Sequence, residues 1–332
     1  MTSNVYLSPL PEPPLSGASV PDLTVVGDAS IDHFVRVSHI AGRDNKAIGE
    51  YLGFFGGGMS ANLAAAAASE GIRAQLITKT GADAESHQAL KELNGLGVET
   101  ALSLRDTQRR TWMCFVQLDP TGEKALIGAD TGIKAPRINE IDPSALRGSR
   151  LVAPLADDLP WATDIARIAK ESGADVAVDL EPDAFDRDEP ALRSLLAVSD
   201  IVFVNNAAAR KFDSSGHVGA ARAIHGLGPS TVVVSGGAKG AYCSLADRGS
   251  FSARSQAGAP AVDTTGAGDA LAGSFLGGLL RGILPEQALA RAVARATACI
   301  TRIGSRTYLA STADLAEPDP HPSLYPVTVE RH

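Results

Sequence analysis

The amino-acid sequence predicts an α/β fold: a doubly wound, mostly parallel sheet flanked by helices, with a small β-sheet lid. Short apolar runs recur along the chain, and each ends at or beside Gly, Asn, Asp or Pro. Helix-length segments separate several of these runs, as in strand–helix–strand units. Two stretches of alternating polarity break this rhythm, and they lie too close together in sequence to be crossover strands.

Six apolar runs are predicted to form the buried parallel strands of the main sheet. A strand that is covered on both faces has a near-continuous apolar sequence, and these runs have that character. Helices are predicted between them, for example over 60–71 and 85–97. Ligands bind such sheets at the carboxyl ends of the strands, so we expect the functional site there. The predicted strands are 23–28, 74–81, 150–155, 175–180, 200–206 and 231–237.

The stretches 32–57 and 108–130 are predicted to form the small second sheet, with turns at "AGRDN" and "DPTGE". One interpretation is a lid over the active cleft, and the other is a contact surface between subunits; the two are compatible. The predicted organisation is a main domain over 22–34, 55–107 and 132–316, a lid over 35–54 and 108–131, and Pro-rich tails over 1–21 and 317–332.

Composition excludes several classes of partner. The chain has 332 residues and a net charge of −8, which argues against nucleic-acid and anionic-membrane partners because both favour a basic surface. Its three cysteines are far apart and lack metal-ligand spacing. The amino terminus lacks a signal-peptide pattern, and no apolar run approaches the ~18 residues of a membrane helix. We therefore expect a soluble, cytoplasmic protein.

The segment "VDTTGAGDALAGSFLGGLLRG" (262–282) carries the strongest chemical signal. Gly266, Ala267 and Gly268 precede an apolar helical pattern, so the free N–H groups at the helix start form a cradle for an anion such as phosphate. Asp269 in the first turn would lie beside that anion and could accept a proton from an attacking hydroxyl. The alternative is that Asp269 only caps the helix and the glycines only make a turn.

Two further groups of residues suit a hydroxyl-rich ligand. The glycines at 56–58 lead into a predicted helix whose first turn carries Asn62, an amide that both donates and accepts hydrogen bonds. Asp28 and Asp32 follow the first predicted strand and could bind two sugar hydroxyls. The alternatives are a tight turn with Asn62 as a local cap, and ordinary loop and cap roles for the two acids.

Together these motifs resemble those of the ribokinase-like carbohydrate kinases, the phosphofructokinase-B family. "DTTGAGD" resembles the most specific signature of that family, and "GGMSAN" resembles its amino-terminal glycine motif. "VVVSGGAKG" is similar to its nucleotide strand and "ITRIGS" to its late purine-side loop. The resemblance covers about residues 22 to 315, nearly everything except the tails.

The resemblance implies a role for each matching residue. Asp269 would be the catalytic base, and the backbone of Gly266, Ala267 and Gly268 would form the anion hole. The expected cofactors are ATP, Mg²⁺ and a potassium-like cation. By the same resemblance the sugar would contact Asp28, Asp32, Gly57, Gly58 and Asn62; ATP would contact Asn205, Ser235, Gly237 and Gly240; and the monovalent cation would contact Asp263, Thr265 and Gly304.

The chain departs from the family pattern at three positions. Ala208 stands where the family has a Glu linked to Mg²⁺, so we expect weakened rather than abolished use of that metal. Met59 stands where ribokinases carry Lys, and Ala292 lies near a position that is often Asn. Ribose as the substrate and the details of purine contact are therefore left open.

The resulting prediction is an ATP-dependent sugar kinase acting on a hydroxymethyl group, with a homodimer formed through the lid. Sugars of fructose, ribose or keto-deoxy type are all open, and a nucleoside is the alternative substrate. A catalytically weak sugar sensor is a second alternative, kept open by Ala208. A nicotinamide-dependent oxidoreductase is disfavoured because no G-x-G-x-x-G follows the first predicted strand.

Overall fold

The computed structural model describes residues 20–122, 124–256, 261–310 and 326–332. Most of the predicted tails, residues 1–19 and 311–325, lies outside these ranges. The strands are β1 (Leu23–Gly27), β2 (Ser30–Val37), β3 (Gly49–Gly57), β4 (Ala74–Gly81), β5 (Val98–Glu99), β6 (Leu104–Asp106), β7 (Met113–Leu118), β8 (Lys124–Ala129), β9 (Leu151–Pro154), β10 (Asp175–Leu180), β11 (Ile201–Asn205), β12 (Thr231–Ser235), β13 (Ala241–Leu245), β14 (Gly249–Ser255) and β15 (Val327–Arg331). The helices are α1 (Met59–Ala68), α2 (Ala84–Gly95), α3 (Leu159–Glu171), α4 (Ala184–Arg187), α5 (Glu189–Leu196), α6 (Asn206–Phe212), α7 (His217–His225), α8 (Ala267–Leu280) and α9 (Pro285–Cys299).

The main sheet confirms the predicted fold class. Its strands follow the order β15-β14-β13-β12-β11-β10-β9-β1-β4-β5, and β6 pairs with β4. All six predicted strands are present, and neighbours among them pair in parallel. β13, β14 and β15 extend one edge in antiparallel fashion. The sheet is therefore parallel at its centre, where the carboxyl ends of β1, β10, β11 and β12 share one edge.

Each face of the sheet is covered by its own group of helices, as a doubly wound fold requires. Along β1, Leu23 and Val25 contribute to one core cluster and Val26 to the other, because successive side chains point to opposite faces. Helices α1, α8 and α9 pack on the first face, and α3, α5 and α7 pack on the second. Burial on both faces explains why these strands have continuous apolar sequences.

Close packing of α1 against α8 brings their amino-terminal ends together. At Gly273 of α8, an added Cβ would lie 2.3 Å from the Leu63 carbonyl oxygen of α1. Only glycine leaves room for that contact at this position of α8. The run of alanines in α1 likewise has only small side chains on the helix surface. The Gly- and Ala-rich sequence of both helices therefore serves their mutual approach, which places the start of α8 beside the start of α1.

The predicted small sheet is also confirmed, with strand order β3-β2-β7-β8. β2–β3 and β7–β8 are antiparallel, whereas β2–β7 is parallel. The sheet begins at Ser30 rather than at the predicted position 32, because β1 continues into β2 after only two residues. One face buries Phe34 and Val116 completely, and the opposite face leaves Phe115 and Ile127 exposed.

The prediction of a C-terminal tail is wrong for its last residues. Residues 327–331 form β15, which pairs antiparallel with β14 at the edge of the main sheet. The sequence "VTVER" alternates valine with polar residues, a pattern typical of a strand, and Val327 packs against the main core cluster. The prolines that precede this segment led to the prediction of a tail instead of a strand. Within the described ranges, no helix is long and apolar enough to cross a membrane.

Candidate active site

The start of α8 forms the centre of the candidate site. Gly266 precedes the helix with a φ of 80°, a left-handed conformation that favours glycine. Its Cα faces Ser305 so closely that an added Cβ would lie 2.4 Å from the Ser305 Cβ. At Gly268, by contrast, an added Cβ would meet no atom within 4 Å among the described residues. The N–H groups in the first turn of α8 have no intrahelical acceptor, although the Ala267 N–H donates to the Thr264 carbonyl oxygen at 3.4 Å.

Asp269 lies in the first turn of α8 and receives a hydrogen bond from the start of α1. Asn62 Nδ2 donates to Asp269 Oδ2 at 2.7 Å. Burial raises the pKa of Asp269 well above its usual range, and the negative charges of Asp179, Asp28 and Glu181 raise it further. The hydrogen bond from Asn62 acts in the opposite direction and favours the carboxylate. A carboxyl group held in this way suits general acid–base chemistry.

Asp28 and Asp32, which follow β1, lie close to the start of α1. Asp28 Oδ1 accepts a hydrogen bond from the Ser60 backbone N–H at 2.9 Å, so this carboxylate caps α1. Asp32 is 5% exposed and accepts a 2.6 Å hydrogen bond from Ser30 Oγ. Burial raises the pKa of Asp32 to about 6, although Ser30 and the Arg306 guanidinium lower it. Asp28 therefore makes a capping contact through Oδ1, and its Oδ2 accepts no hydrogen bond within the described part of the chain.

The glycines before α1 make room for protein atoms. At Gly57, an added Cβ would lie 2.1 Å from Asp32 Oδ2. Gly58 has a φ of 94°, and an added Cβ there would lie 2.8 Å from the Ala29 Cα and 2.9 Å from the Asp28 carbonyl oxygen. These two glycines allow the β3–α1 turn to pack on the β1–β2 connection. Their proximity to the two acids agrees with the predicted location of the substrate side of the site.

Asp263, Thr265 and Gly304, predicted as cation ligands, are brought together by the fold. Asp263 is 1% exposed, and its Oδ1 accepts hydrogen bonds from the Thr265 N–H at 2.9 Å and Oγ1 at 2.6 Å. Its Oδ2 accepts a 2.9 Å hydrogen bond from the Gly304 N–H. Asp263 thus ties the segment before α8 to the loop after α9, which carries Ser305 and Arg306.

The predicted nucleotide residues lie at the carboxyl ends of β11 and β12. Asn205 pairs with Ser235 in the sheet and caps α6 by accepting 2.9 Å hydrogen bonds from the Ala207 and Ala208 N–H groups. Its Nδ2 donates to Glu181 Oε2 at 3.3 Å. The predicted residues Gly237 and Gly240 follow Ser235 in a short turn, and both have positive φ.

Five functional candidates were absent from the sequence prediction: Asp179, Glu181, Lys124, Ser305 and Arg306. Asp179 lies near the carboxyl end of β10 and Glu181 directly follows it, so both could have been found by the strand-end rule that located Asp28. Lys124 of β8 reaches from the small sheet to the main domain, where its Nζ donates to Thr265 Oγ1 at 3.2 Å. Ser305 and Arg306 both donate to Asn62 Oδ1, at 2.9 and 3.1 Å. Ser305 ends the "ITRIGS" segment noted in the sequence, whereas no local pattern marks Lys124 or Arg306.

The three departures from the family pattern have clear locations. Met59 lines the cleft beside Asp269. Ala208 and Ala292 are fully buried, each in one of the two core clusters that flank the sheet. Burial of alanine at these two positions means that the packing there is apolar, and Ala208 supplies no oxygen ligand. The cleft is lined by Met59, Ser60, Pro154, Leu155, Asp179, Phe203 and Asp269 among others.

The amino-acid sequence matches one known protein family. The family model described as "pfkB family carbohydrate kinase" matches residues 20–312. The chain belongs to this family. It is therefore a phosphotransferase of the sugar and nucleoside kinase group, which confirms the resemblance seen in the sequence motifs.

Individual relatives agree with this assignment. The chain is similar to a ribokinase of Haemophilus influenzae, with 26% identity over 304 residues that cover 89% of this chain and 97% of the relative. It is 31% identical to an ATP-dependent ribose-1-phosphate kinase of Halopiger xanaduensis over 290 residues, 87% of this chain and 94% of the relative. The solved structure of Arabidopsis thaliana ribokinase with ribose and ATP has a TM-score of 0.74 and 24% identity, covering 91% of this chain and 96% of that one. This last likeness concerns the fold.

Proposed function

We propose that this member of the family is an ATP-dependent kinase that transfers the γ-phosphoryl group to a hydroxymethyl group of a sugar. The observation that carries the proposal is the arrangement at the start of α8. Asp269 is partly buried there, hydrogen-bonded to Asn62 at 2.7 Å, and follows directly on the glycine segment 266–268. One short segment thus supplies both a base and an anion hole.

The proposed step uses these groups as follows. The substrate hydroxyl gives its proton to the Asp269 carboxylate while its oxygen forms a bond to the γ-phosphorus. The bond from that phosphorus to the β–γ bridging oxygen breaks, and ADP leaves. Charge on the transferred group is stabilised by the N–H groups of the 266–268 segment and by the helix dipole. The Asn62 hydrogen bond keeps Asp269 Oδ2 occupied, so Oδ1 remains to accept the proton.

Lys124 adds a positive charge where the phosphates would lie. Its ammonium group is hydrogen-bonded to Thr265, the residue immediately before the anion hole, and it acts electrostatically on Glu181. Asp28, Asp179, Glu181 and Asp269 make this part of the cleft acidic, so a triphosphate needs compensating cations. Since Lys124 belongs to the small sheet, its contact with Thr265 also couples the position of that sheet to the phosphate site.

Metal ions are part of the proposal. Asp179, Glu181 and Asn205 offer oxygen donors at the carboxyl ends of β10 and β11, whereas Ala208 offers none. In the described ranges no three His, Cys, Asp or Glu residues are grouped to hold a metal. That suits Mg²⁺, which is bound through one or two carboxylates together with phosphates and waters. When bound, Mg²⁺ would neutralise charge on the β- and γ-phosphates.

A potassium-like ion is proposed near Asp263. Its carboxylate is buried and accepts three hydrogen bonds, which leaves one of about four lone-pair positions free. Both Thr265 and Gly304 contact this carboxylate, so the predicted ligand set is assembled in space. Asp263 and Thr265 would hold such an ion, and its charge would support the backbone of the segment that leads into α8.

The substrate proposal favours a small polyol. Asp32 and the free oxygen of Asp28 present acceptors for hydroxyl groups near the start of α1. A nucleoside is the second candidate, because the relatives also include a nucleoside kinase of Methanothermobacter thermautotrophicus, 25% identical over 266 residues. The ribose of a nucleoside would contact the same two acids, Asp28 and Asp32.

A ligand panel tests the proposal. Sugars, ribose 1-phosphate and nucleosides are added with and without a non-hydrolysable ATP analogue, and the melting temperature is measured. A ligand at 100 times its Kd stabilises the native state by about 2.7 kcal/mol, which raises the melting temperature of a chain of this size by roughly 4 °C. Each hit is then assayed for ADP release. A sugar that binds without ADP release would favour the sensor hypothesis instead.

We also propose that the small sheet joins two subunits. Its outer face exposes Tyr51 (58%), Phe115 (43%) and Ile127 (57%), and monomeric proteins rarely leave such apolar groups clustered in water. A dimer by light scattering at micromolar concentration, converted to a monomer by Phe115→Glu, is the expected result. A wild-type monomer under these conditions would refute it. The cytoplasmic location remains a prediction from the sequence.

A further inference from the structure

The Arg306 side chain is buried directly behind the proposed base. Arg306 is 2% exposed. Its Nη1 donates to the Gly57 carbonyl oxygen and to Asn62 Oδ1, each at 3.1 Å. Its Nε and Nη2 donate to the two carboxylate oxygens of Glu92, each at 3.3 Å. One guanidinium group therefore connects the end of β3, the start of α1 and the helix α2.

This arrangement determines which way the Asn62 amide points. A guanidinium group has donors only, so Asn62 must present its carbonyl oxygen to Arg306. Ser305 Oγ donates to the same oxygen at 2.9 Å. The amide nitrogen is then directed to Asp269 Oδ2, at 2.7 Å. If the amide were reversed, its carbonyl oxygen would face the carboxylate, and two acceptors would repel each other.

The surroundings of Asp269 make this donor important. Asp28 from the end of β1, together with Asp179 and Glu181 from the end of β10, faces Asp269 with negative charge. These three acids, like burial itself, favour the protonated form of Asp269. The charge of Asp269 in turn raises the pKa of Cys299 of α9 and of Tyr308 in the following loop. The Asn62 amide is the hydrogen bond that favours the charged form.

We propose that Arg306 is a positioning residue for phosphoryl transfer, which acts through Asn62 to keep Asp269 oriented and charged as the base. The inference rests on the proposed function of Asp269. Among the described residues, Arg306 makes no hydrogen bond to Asp269 and does not line the cleft, so its effect on Asp269 is indirect. It also acts electrostatically on Asp32, whose pKa it lowers. The surrounding backbone is adapted to it: at Gly56, an added Cβ would lie on the Arg306 Nη2 atom, so only glycine fits beside the guanidinium.

Three variants test this role. Arg306→Met removes the donor, Arg306→Lys keeps a donor on a similar stem, and Glu92→Gln removes the ion pair on the far side of Arg306. Glu92 has a side chain that is 38% exposed, so water can solvate it when Arg306 is replaced, and the variants are expected to fold. Melting temperature and sugar affinity by calorimetry are measured for each, followed by kcat as a function of pH.

In Arg306→Met we expect kcat to fall about tenfold below neutral pH. A loss of that order is what removal of one hydrogen bond to a charged group costs. A base with a higher pKa needs a higher pH to be charged, so the loss should shrink at alkaline pH. Sugar affinity should change less than threefold at pH 8, where Asp32 stays charged, and it is measured at each pH because Arg306 also lowers the pKa of Asp32. Arg306→Lys should restore most of kcat, and Glu92→Gln should keep the wild-type pH profile even if it melts earlier.

The outcomes separate the inference from the proposed function. If wild-type enzyme transfers phosphate and Asp269→Asn abolishes it, the base is established independently of Arg306. The role of Arg306 is then refuted if Arg306→Met and Glu92→Gln have the same pH profile. It is likewise refuted if Arg306→Met loses activity equally at every pH, because that result indicates a general structural defect. Activity that survives Asp269→Asn would instead overturn the proposed function.

Discussion

Replacing Asp269 by Asn should lower turnover and raise stability in the same variant. The two side chains are nearly isosteric, and the Asn62 amide can still donate to the new side-chain oxygen at the position where it now contacts Oδ2. The Gly266 turn and the start of α8 should keep their geometry. What the variant lacks is a group that can accept the proton of the substrate hydroxyl.

The expected loss follows from that missing base. A positioned general base contributes about 10²–10⁴ in rate, equivalent to roughly 3–5 kcal/mol of activation free energy. We therefore expect kcat to fall at least a hundredfold while sugar affinity changes little. If Asp269 only capped the helix, Asn would replace it well, since the two are nearly equal in that role.

The expected gain in stability follows from the direction of the pKa shift. The helix dipole favours a charge in the first turn of α8 by about 0.3–1 kcal/mol, and this is lost in the variant. However, the pKa of Asp269 is raised above its ordinary value of 3.8, so burial and the neighbouring acids outweigh all favourable terms. The folded wild-type protein is therefore penalised when Asp269 ionises, and the penalty grows as pH rises above the unfolded-state pKa. Asn removes it.

The assay combines steady-state kinetics with urea unfolding. Asp269→Asn should unfold at higher urea than wild type at pH 8, and the difference should vanish as pH falls toward 4. Asp28→Asn is an informative comparison, because that carboxylate caps α1 at Ser60. A variant that keeps more than about a tenth of wild-type kcat, against the ~10²-fold minimum, would refute Asp269 as the base. A variant less stable than wild type at pH 8 would refute the electrostatic argument.

Three further predictions concern the surroundings of the base. Replacing Na⁺ by K⁺ at equal ionic strength should raise activity or ATP affinity because of Asp263; equal rates in the two salts would exclude the cation site. Gly266→Ala should cost roughly 2–4 kcal/mol of unfolding free energy, because its φ is 80° and the new Cβ would meet Ser305 at 2.4 Å. Gly268→Ala, whose Cβ meets nothing within 4 Å, should stay within about 1 kcal/mol of wild type, and equal losses at both glycines would contradict the backbone argument. Lys124→Met should weaken binding of a non-hydrolysable ATP analogue about tenfold and binding of ADP much less. The control is Lys46→Met, at an exposed position between β2 and β3, which should change the binding of neither nucleotide. Similar losses for both nucleotides would mean that Lys124 only tethers the small sheet.

The sequence was sufficient for features that depend on local pattern. The six core strands are continuous apolar runs because both faces of each are buried, and that property can be recognised without coordinates. The site at the start of α8 was also predictable, since glycines before an apolar helix and an acid in its first turn have a local physical meaning. The small sheet was found by its alternation, although its first strand begins earlier than predicted.

Strand β15 shows where local pattern failed. Its five residues lie beyond a proline-rich stretch, and an isolated strand of that length has no stability of its own. It forms because β14 offers an open edge and Val327 reaches the core. Neither condition is visible in the neighbouring sequence.

By itself, then, the sequence determined the fold class, the family and the location of the glycine segment with Asp269, because each is encoded in short segments with their own periodicity or backbone requirement. Only the tertiary structure decided which residues meet around that segment. Arg306, Asn62 and Lys124 are separated along the chain by 62 to 244 positions, and they converge because α1, α8 and the small sheet pack on one another. Hydrogen-bond direction, burial and the resulting shift in the pKa of Asp269 are properties of that convergence. They depend on distances in space, which sequence spacing does not specify.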